Sequence, residues 1–564
     1  MFPLRDTHIG IDLGLFLCFV LVCFAPRLGD PLASAIEKFA LEFAEHKRLA
    51  IFSLAAFTIA LRLALLSAVP VPFPTFHDEF SYLLAADTFV HGRLTNSPHP
   101  MWVYFETFHV NQFPTYMSKY PPAQGAVLAL GQLFGHPWIG VLLSTGAMCG
   151  AVVWALQGWL PPRWALLGGC LVVIRLGIFS YWMNSYWGGS VAAIGGALVL
   201  GSLPRIRHFR RTRDAVLMAL GMAILVNTRP FEGFIFCIPV MVALAVWLFR
   251  EGRSAFRTAV PRLILPFCAA LLCCGIFIGY YNWRGTGHPW LTPYQVNDRA
   301  YWSAPPFHWS GENPPRPHLN PQFDAFYNTY TRNPGLRARI IAVRQSLVFA
   351  IYVCYTIVSF CFSRVFIIPF LILPWMLADR RIRLLLIQVV LCFLGFLVVP
   401  WFSPHYAAPL VPTLFLLLTQ AFRHLRQVHY RGQPVGVALS RMTILALFRP
   451  VAVSAIALLP FHLVAKAPEY KTPTIAYRQQ IQNRLSATSG LHLVIVRYGL
   501  QHNANVEWVY NRAEIDHAKI VWAREIPGRS LDPLLHYFFG RHLWLVEPDA
   551  PVPFLTPFEN PQRQ

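Results

Sequence analysis

Residues 138–160 read WIGVLLSTGAMCGAVVWALQGWL, an apolar run with no charged side chain. A helix needs ~20 predominantly apolar residues to cross a bilayer, and this run supplies them. Comparable segments lie near 9–25, 49–69, 164–180, 188–203, 214–228, 233–249, 261–281, 364–378, 384–402, 406–421 and 442–465. Two shorter apolar pieces, 123–135 and 344–361, fit a span, an interfacial helix or a re-entrant segment equally well. About 11 to 14 spans are expected on this criterion. The whole chain agrees: of 564 residues, 55% are hydrophobic and 13% charged, where a water-soluble protein carries about a quarter charged. The expected fold is mainly α, a polytopic transmembrane helix bundle.

The net charge of +21 is distributed in short blocks between the apolar segments. Arg205, Arg207, Arg210, Arg211 and Arg213 form one block, and Arg250, Arg253, Arg257 and Arg262 the next. Arg380, Arg381 and Arg383 follow, then Arg423, Arg426 and Arg431. This is the positive-inside pattern of short cytoplasmic loops, not the single basic face of a nucleic-acid binder, so no nucleic-acid partner is expected. With those blocks inside, 70–122, 181–187, 229–232, 282–343, 403–405 and everything after 466 face outward. All 11 cysteines fall in apolar segments, from Cys18 to Cys392, so no disulfide framework is expected. Residues 9–25 follow Arg5 as a signal peptide's core would, but end at Ala25-Pro26-Arg27 without a small-residue cleavage site. They are read as a retained span.

Three regions are expected. Residues 1–48 form an N-terminal span and cytoplasmic linker, and 49–465 the bundle with outer loops 70–122 and 282–343. Residues 466–564 form a small extracytoplasmic α/β domain. In that tail, Leu493–Arg497, Ile520–Ala523 and Leu543–Val546 read as strands, with a helix over Pro533–Phe539. Loops as long as the first two are functional or disordered, and their aromatic content argues for order. No P-loop or Gly-rich fingerprint occurs, and no nucleotide cofactor is expected.

The outward-facing acids of the bundle are few: Asp78, Glu79, Asp87, Glu106, Glu232, Asp298, Glu312 and Asp324. Asp78 and Glu79 directly follow Pro70-Val71-Pro72-Phe73-Pro74, at the end of a span. A partly desolvated carboxylate at the membrane interface suits a general base. The structural alternative is a helix cap, with Thr75 or Asp78 opening a helix over Glu79–Phe89. Lys119, the one lysine between Lys47 and Lys466, sits where the first loop re-enters the membrane. Its ammonium suits a lipid phosphate or an interfacial anchor. Arg229 ends a span, either paired with Glu232 or facing a leaving phosphate. Arg175 lies within a span, where a cation is costly and is paired or functional. His99, Glu106 and His109, with His77 or Asp78, offer metal-ligand chemistry without a rigid spacing template. A divalent metal is therefore left open, with solvated loop histidines as the alternative.

These residues together resemble the GT-C glycosyltransferases, in particular the dolichyl-phosphate-mannose protein mannosyltransferases and the bacterial transferases that add aminoarabinose to lipid A. The first outer loop opens with Asp78-Glu79 and closes with Lys119-Tyr120-Pro121-Pro122. Tyr281 through Pro289, with Pro293-Tyr294, is similar to that group's later outer loop. Asn227–Pro230 resembles its Arg-Pro span end, and Pro404-His405-Tyr406 with Pro409 and Pro412 its late span start. The likeness covers roughly 49–425. It implies Asp78 as base with Glu79 as accessory, and Lys119 at the phosphate of a polyprenyl-phosphate sugar donor. Arg229, Glu106, His77, Tyr82, Tyr294, His405 and Tyr406 are the further substrate-binding candidates. The chain departs from the pattern in placing Tyr120 between the lysine and the prolines, and His405 where an arginine is common.

The implied reaction is a single inverting displacement on the outer face, onto a lipid, glycan or protein acceptor. The expected setting is a bacterial inner membrane with the active face toward the periplasm. Trp102, Tyr104, Tyr181, Trp182, Tyr186, Trp187 and Trp302 could stack on sugars or form the interfacial aromatic belt. Two other functions use similar chemistry: a transporter or flippase of lipid-linked glycans, and a non-catalytic assembly protein.

Overall fold

The computed structural model describes residues 19–20, 24–27, 30–303, 307, 314, 316–332, 347–362, 366–399, 401–457 and 473–558. Most of the expected span 9–25, the end of 442–465, and Glu312 lie outside the described residues. Within them, five helices are long and apolar enough to cross a membrane: Pro137–Trp159, Pro230–Arg250, Phe256–Thr286, Arg380–Val398 and Pro404–Leu425. Lys47–Ala64, Pro162–Val172, Ser190–Phe209, Thr212–Val226, Leu347–Cys361 and Val435–Ala457 pack around or beside them. One apolar cluster, including Val152, Leu176, Leu200, Phe236, Leu410 and Phe415, runs through the bundle. Small residues let backbones approach closely. A Cβ at Gly196 would lie 2.1 Å from the Pro409 carbonyl oxygen, so only glycine lets helix Ser190–Phe209 pack this close to the segment carrying His405.

Several expected spans differ in detail. Residues 164–180 do not form one helix: Pro162–Val172 passes into a π-helical turn, Val173–Gly177, and the chain is irregular to Gly189. Residues 364–378 are also broken, into Ile367–Phe370 and Leu373–Leu377. Pro369 and Pro374 each remove an amide donor and clash with the preceding turn, which apolar composition conceals. Conversely, Phe256–Thr286 runs five residues into the expected second loop before Gly287 ends it at φ 81°. Only 6% of its most apolar window is buried, so it stands at the rim of the bundle. The doubtful piece at 123–135 is a helix, Pro122–Leu133, whose 12 residues rise about 18 Å, too short to cross.

The tail is a four-stranded sheet in the order Ile520–Arg524, His492–Val496, His542–Val546, Leu555–Pro557. The first three strands are parallel and the last is antiparallel to its neighbour. Helices Pro473–Ala487 and Asp532–Tyr537 accompany it. Strands and short helix match the expected positions to within one or two residues.

This domain is fused to the first loop. Leu84, Val103, Phe105 and Val110 share one core with Leu493, Ile495, Val521 and Leu534. Polar contacts stitch the seam: His99 Nε2 with Asp516 Oδ1 at 2.9 Å, Tyr104 OH to Ser530 O at 2.7 Å, and Tyr116 OH to Asn511 O at 3.1 Å. The second loop joins through Gln322 Nε2 to Gly499 O at 3.1 Å. Both long loops and the tail therefore occupy one end. The other end gathers arginines on acids, Arg426 with Glu37 at 2.9 Å, Arg441 with Asp30 and Glu37, and Arg210 with Glu251. The chain is mainly α, a helix bundle with a small α/β domain at its C-terminal end.

Candidate functional site

The prolines at 70, 72 and 74 keep the loop start extended, and a buried arginine pins it. Arg62, fully buried, donates to Val69 O at 2.8 Å, Pro70 O at 3.1 Å and Asn184 Oδ1. Sequence reading did not single it out. Helix His77–Val90 follows, with both acids in its first turn, where the helix dipole favours negative charge.

Glu79 is that helix's cap. Its Oε1 accepts from Thr75 N at 3.0 Å, Thr75 Oγ1 at 3.0 Å and Phe76 N at 3.2 Å, and its Oε2 from Tyr186 N at 2.9 Å. It is 1% exposed. Burial pushes its carboxyl up against the bonds from Tyr186, Thr75 and Phe76. Both oxygens are occupied, and the side chain holds the start of the helix against the 181–187 loop.

Asp78, one residue earlier, meets side chains instead of backbone amides. Tyr120 OH donates to its Oδ1. His77 Nδ1 stands 3.1 Å from Oδ2, and His109 Nε2 3.8 Å from Oδ1. Burial raises the Asp78 carboxyl, but His109, His77 and the Tyr120 hydroxyl outweigh it and hold the group well below the usual carboxylate range. Burial and the Lys119 charge in turn keep the His109 imidazole below its ordinary value, with Asp78 opposing.

His109 is placed by a backbone at φ 60°, uncommon outside glycine. Its carbonyl accepts from Ser81 Oγ at 2.7 Å and Lys119 N at 3.2 Å. One ligand atom each from His77, Asp78 and His109 lies within 4.8 Å of the others. His77 Nδ1 is taken up by Asp78, while His77 Nε2 and His109 Nδ1 are buried without a hydrogen-bond partner. Orphaned buried imidazole nitrogens beside a carboxylate fit a divalent ion of the zinc class. The wider expected set does not assemble: His99 uses both nitrogens, on Asp516 and on Met101 N, and Glu106 accepts from Tyr301 OH at 2.8 Å.

Lys119 is 3% exposed. Its Nζ lies over three rings, 4.7 Å from Tyr294, 5.4 Å from Tyr120 and 5.7 Å from Trp302. Burial lowers the ammonium, with Asp298 and Asp78 opposing. Burial raises Asp298 to about 6 against the Lys119 charge. On the bundle side, a cleft is lined by Tyr82, Gln124, Trp187, Gly189, Thr228 and Arg229, among others. Helix Ser190–Phe209 begins there, after Gly188 and Gly189 at φ 79° and 126°. The Arg229 guanidinium lies 4.6 Å over the Tyr406 ring, and Tyr181 OH is 2.8 Å from His405 Nδ1. A helix N-terminus beside a guanidinium is an anion-binding arrangement.

Other candidates lie elsewhere. Arg175 donates to the Ser359 carbonyl within the bundle. Trp182 is fully buried in the core. Tyr186 OH donates to Pro72 O at 2.9 Å, and Tyr104 is taken up by the tail. Asp87 accepts from Gln132 Nε2 at 2.9 Å and from Ala513 N at 2.8 Å, which makes it a strut between bundle and tail. Trp187 and Trp302 remain beside the cleft and Lys119. Tyr120, seen in the sequence only as a departure, is in direct contact with Asp78.

No family model and no curated protein matches the chain. Among solved structures, it is similar to ArnT from Cupriavidus metallidurans bound to undecaprenyl phosphate, at 12% identity and a TM-score of 0.46, over 88% of this chain and 92% of that one. It is also similar to the Archaeoglobus fulgidus oligosaccharyltransferase in complex with zinc and sulfate, at 13% identity and a TM-score of 0.48, over 88% and 67%. The AglB oligosaccharyltransferase of the same organism, with an inhibitory peptide and a dolichol-phosphate, gives 12% identity and a TM-score of 0.46, over 90% and 70%.

Proposed function

We propose that the chain is a membrane glycosyltransferase that moves a hexosyl or pentosyl group from a polyprenyl-phosphate donor to an acceptor on the outer face. The observation that carries this reading is Asp78, bonded by Tyr120 whose ring stacks on Tyr82 at the wall of a cleft that also holds Arg229, in a chain with helices long and apolar enough to cross a membrane. Asp78 takes the acceptor proton as the acceptor oxygen or nitrogen attacks the anomeric carbon. The carbon–phosphate-oxygen bond breaks on the opposite face, which inverts the configuration. Lys119, Arg229 and the N-terminus of Ser190–Phe209 meet the charge that develops on the departing phosphate. A divalent ion held by His77, Asp78 and His109 would supply Lewis-acid polarisation at the same place. Trp187 and Trp302 offer apolar faces for the sugar. The Arg-rich end, opposite the loops, supports a periplasmic orientation in a bacterial inner membrane.

The test is Asp78→Asn in a deletion strain, with lipid extracts and outer-face glycans read by mass spectrometry. The expected result is a normally inserted protein, an accumulated polyprenyl-phosphate sugar and one missing glycan. Wild-type glycans from Asp78→Asn would refute the assignment of the base. A lipid-linked sugar trapped on the inner leaflet would replace transfer by transport.

A further inference from the structure

Tyr120 occupies a position that the reading above leaves without a role. Its hydroxyl donates to Asp78 Oδ1, and its ring stacks on Tyr82 at 4.5 Å and 19°. Tyr82 is four residues beyond Asp78, on the same face of helix His77–Val90. One tyrosine thus spans the base and the ring a turn below it. The other edge of Tyr120 meets His109, with ring centroids 5.8 Å apart.

The segment that carries Tyr120 is itself held. Met117–Ser118 pairs with Val110–Asn111. Ser118 Oγ accepts from Tyr120 N at 3.1 Å and shares a 2.7 Å hydrogen bond with Ser81 Oγ. Pro121 follows, which restricts the Tyr120 backbone to extended conformations. The phenol is therefore fixed from both sides along the chain and by stacking across it.

A carboxylate in the first turn of a helix has two oxygens and free rotation about its terminal bond. A fixed donor on Oδ1 removes that freedom and holds Oδ2 in place beside His77 Nδ1, 3.1 Å away. We propose that Tyr120 is the positioning residue for Asp78, acting through its hydroxyl rather than its ring. The proposal rests on Asp78 being the base.

The experiment compares Tyr120→Phe, which keeps the ring and loses the donor, with 3-fluorotyrosine placed at 120, which keeps both. The donor probe is the lipid-linked sugar purified from the deletion strain. Tyr120→Phe is expected to lower kcat about tenfold to a hundredfold, the worth of one charge-assisted hydrogen bond, with KM for that lipid within about twofold. The 3-fluorotyrosine protein is expected to recover most of the lost kcat. Wild-type kcat in Tyr120→Phe overturns the proposal, as does a loss confined to KM or a 3-fluorotyrosine protein as slow as Tyr120→Phe. If Tyr120→Phe does not fold, 4-aminophenylalanine at 120 decides, since it keeps the ring and offers a weaker N–H donor: kcat is expected to fall several-fold, and a wild-type kcat overturns the proposal. Full transfer by Asp78→Asn sinks the base itself. An inactive Asp78→Asn beside a fully active Tyr120→Phe sinks only the role of Tyr120.

Discussion

Glu79 and Asp78 are adjacent carboxylates with opposite predicted responses to substitution. Glu79→Ala removes the acceptor from three backbone amides, Thr75 N, Phe76 N and Tyr186 N. An unsatisfied buried donor costs about 1–3 kcal/mol. Thr75 and Phe76 are part-exposed, so water recovers some of their loss, about 1 kcal/mol remaining for each. Tyr186 N is buried with Glu79 and keeps about 2 kcal/mol. The sum is about 4 kcal/mol, a large fraction of ordinary domain stability. Glu79→Gln retains one carbonyl oxygen and turns an NH2 toward one amide group, at about 2 kcal/mol. The assay is thermal unfolding of detergent-purified protein beside transfer activity. Stability should fall in the order wild type, Glu79→Gln, Glu79→Ala, with activity falling in parallel. Asp78→Asn should lose transfer with a smaller fall in unfolding temperature than Glu79→Ala, since the carboxylate that it replaces is itself stabilised by the fold. Loss of transfer in Glu79→Gln at unchanged unfolding temperature would refute this division and make Glu79 a chemical participant.

The raised Asp298 supplies a pH prediction. It is neutral below about pH 6 and charged above, so Lys119 loses its counter-charge as pH falls through 6. Asp78, held well below the usual carboxylate range, stays ionised across that window. The rate should show an acid limb near pH 6 that flattens in Asp298→Asn, and a limb unchanged by that substitution would exclude Asp298 as its source. The His77–Asp78–His109 cluster predicts metal-linked stability. Zinc at about a hundred times its Kd should stabilise the wild type by about 2.7 kcal/mol and leave His77→Ala and His109→Ala unshifted, read by thermal unfolding. No shift in the wild type would show that the imidazoles only cradle the carboxylate.

The bundle was legible because membrane crossing imposes one composition on ~20 residues at a time. The same uniformity hid its interruptions. In the apolar run 164–180 only Arg175, inside the π-helical turn at Val173–Gly177, hinted at an interruption, and Pro369 and Pro374 could have warned of the break in 364–378. In the tail, strands were legible from β-branched runs such as His492–Val496. At the site, Asp78 and Glu79 stood out by position, but their division of labour depends on Tyr186 and Tyr120, distant in sequence. The metal-ligand grouping was partly misjudged for the same reason. His109 reaches Asp78 through an unusual backbone angle, while His99 is drawn away by Asp516, 417 residues later. Such pairings have no local signature.

The seam between first loop and tail bears on how the protein is made. The helix that carries Asp78 ends its support at Asp87, one of whose oxygens binds the amide of Ala513. Ala513 is synthesised after every membrane-crossing helix described here. Until the tail has been translated and folded, Asp87 lacks that partner and the apolar residues Val103, Phe105 and Val110 lack their cover. The first loop waits, incomplete, while some 400 residues are inserted behind it. A product truncated before the tail would therefore carry the helix of Asp78 without the cover that the tail lays over its loop.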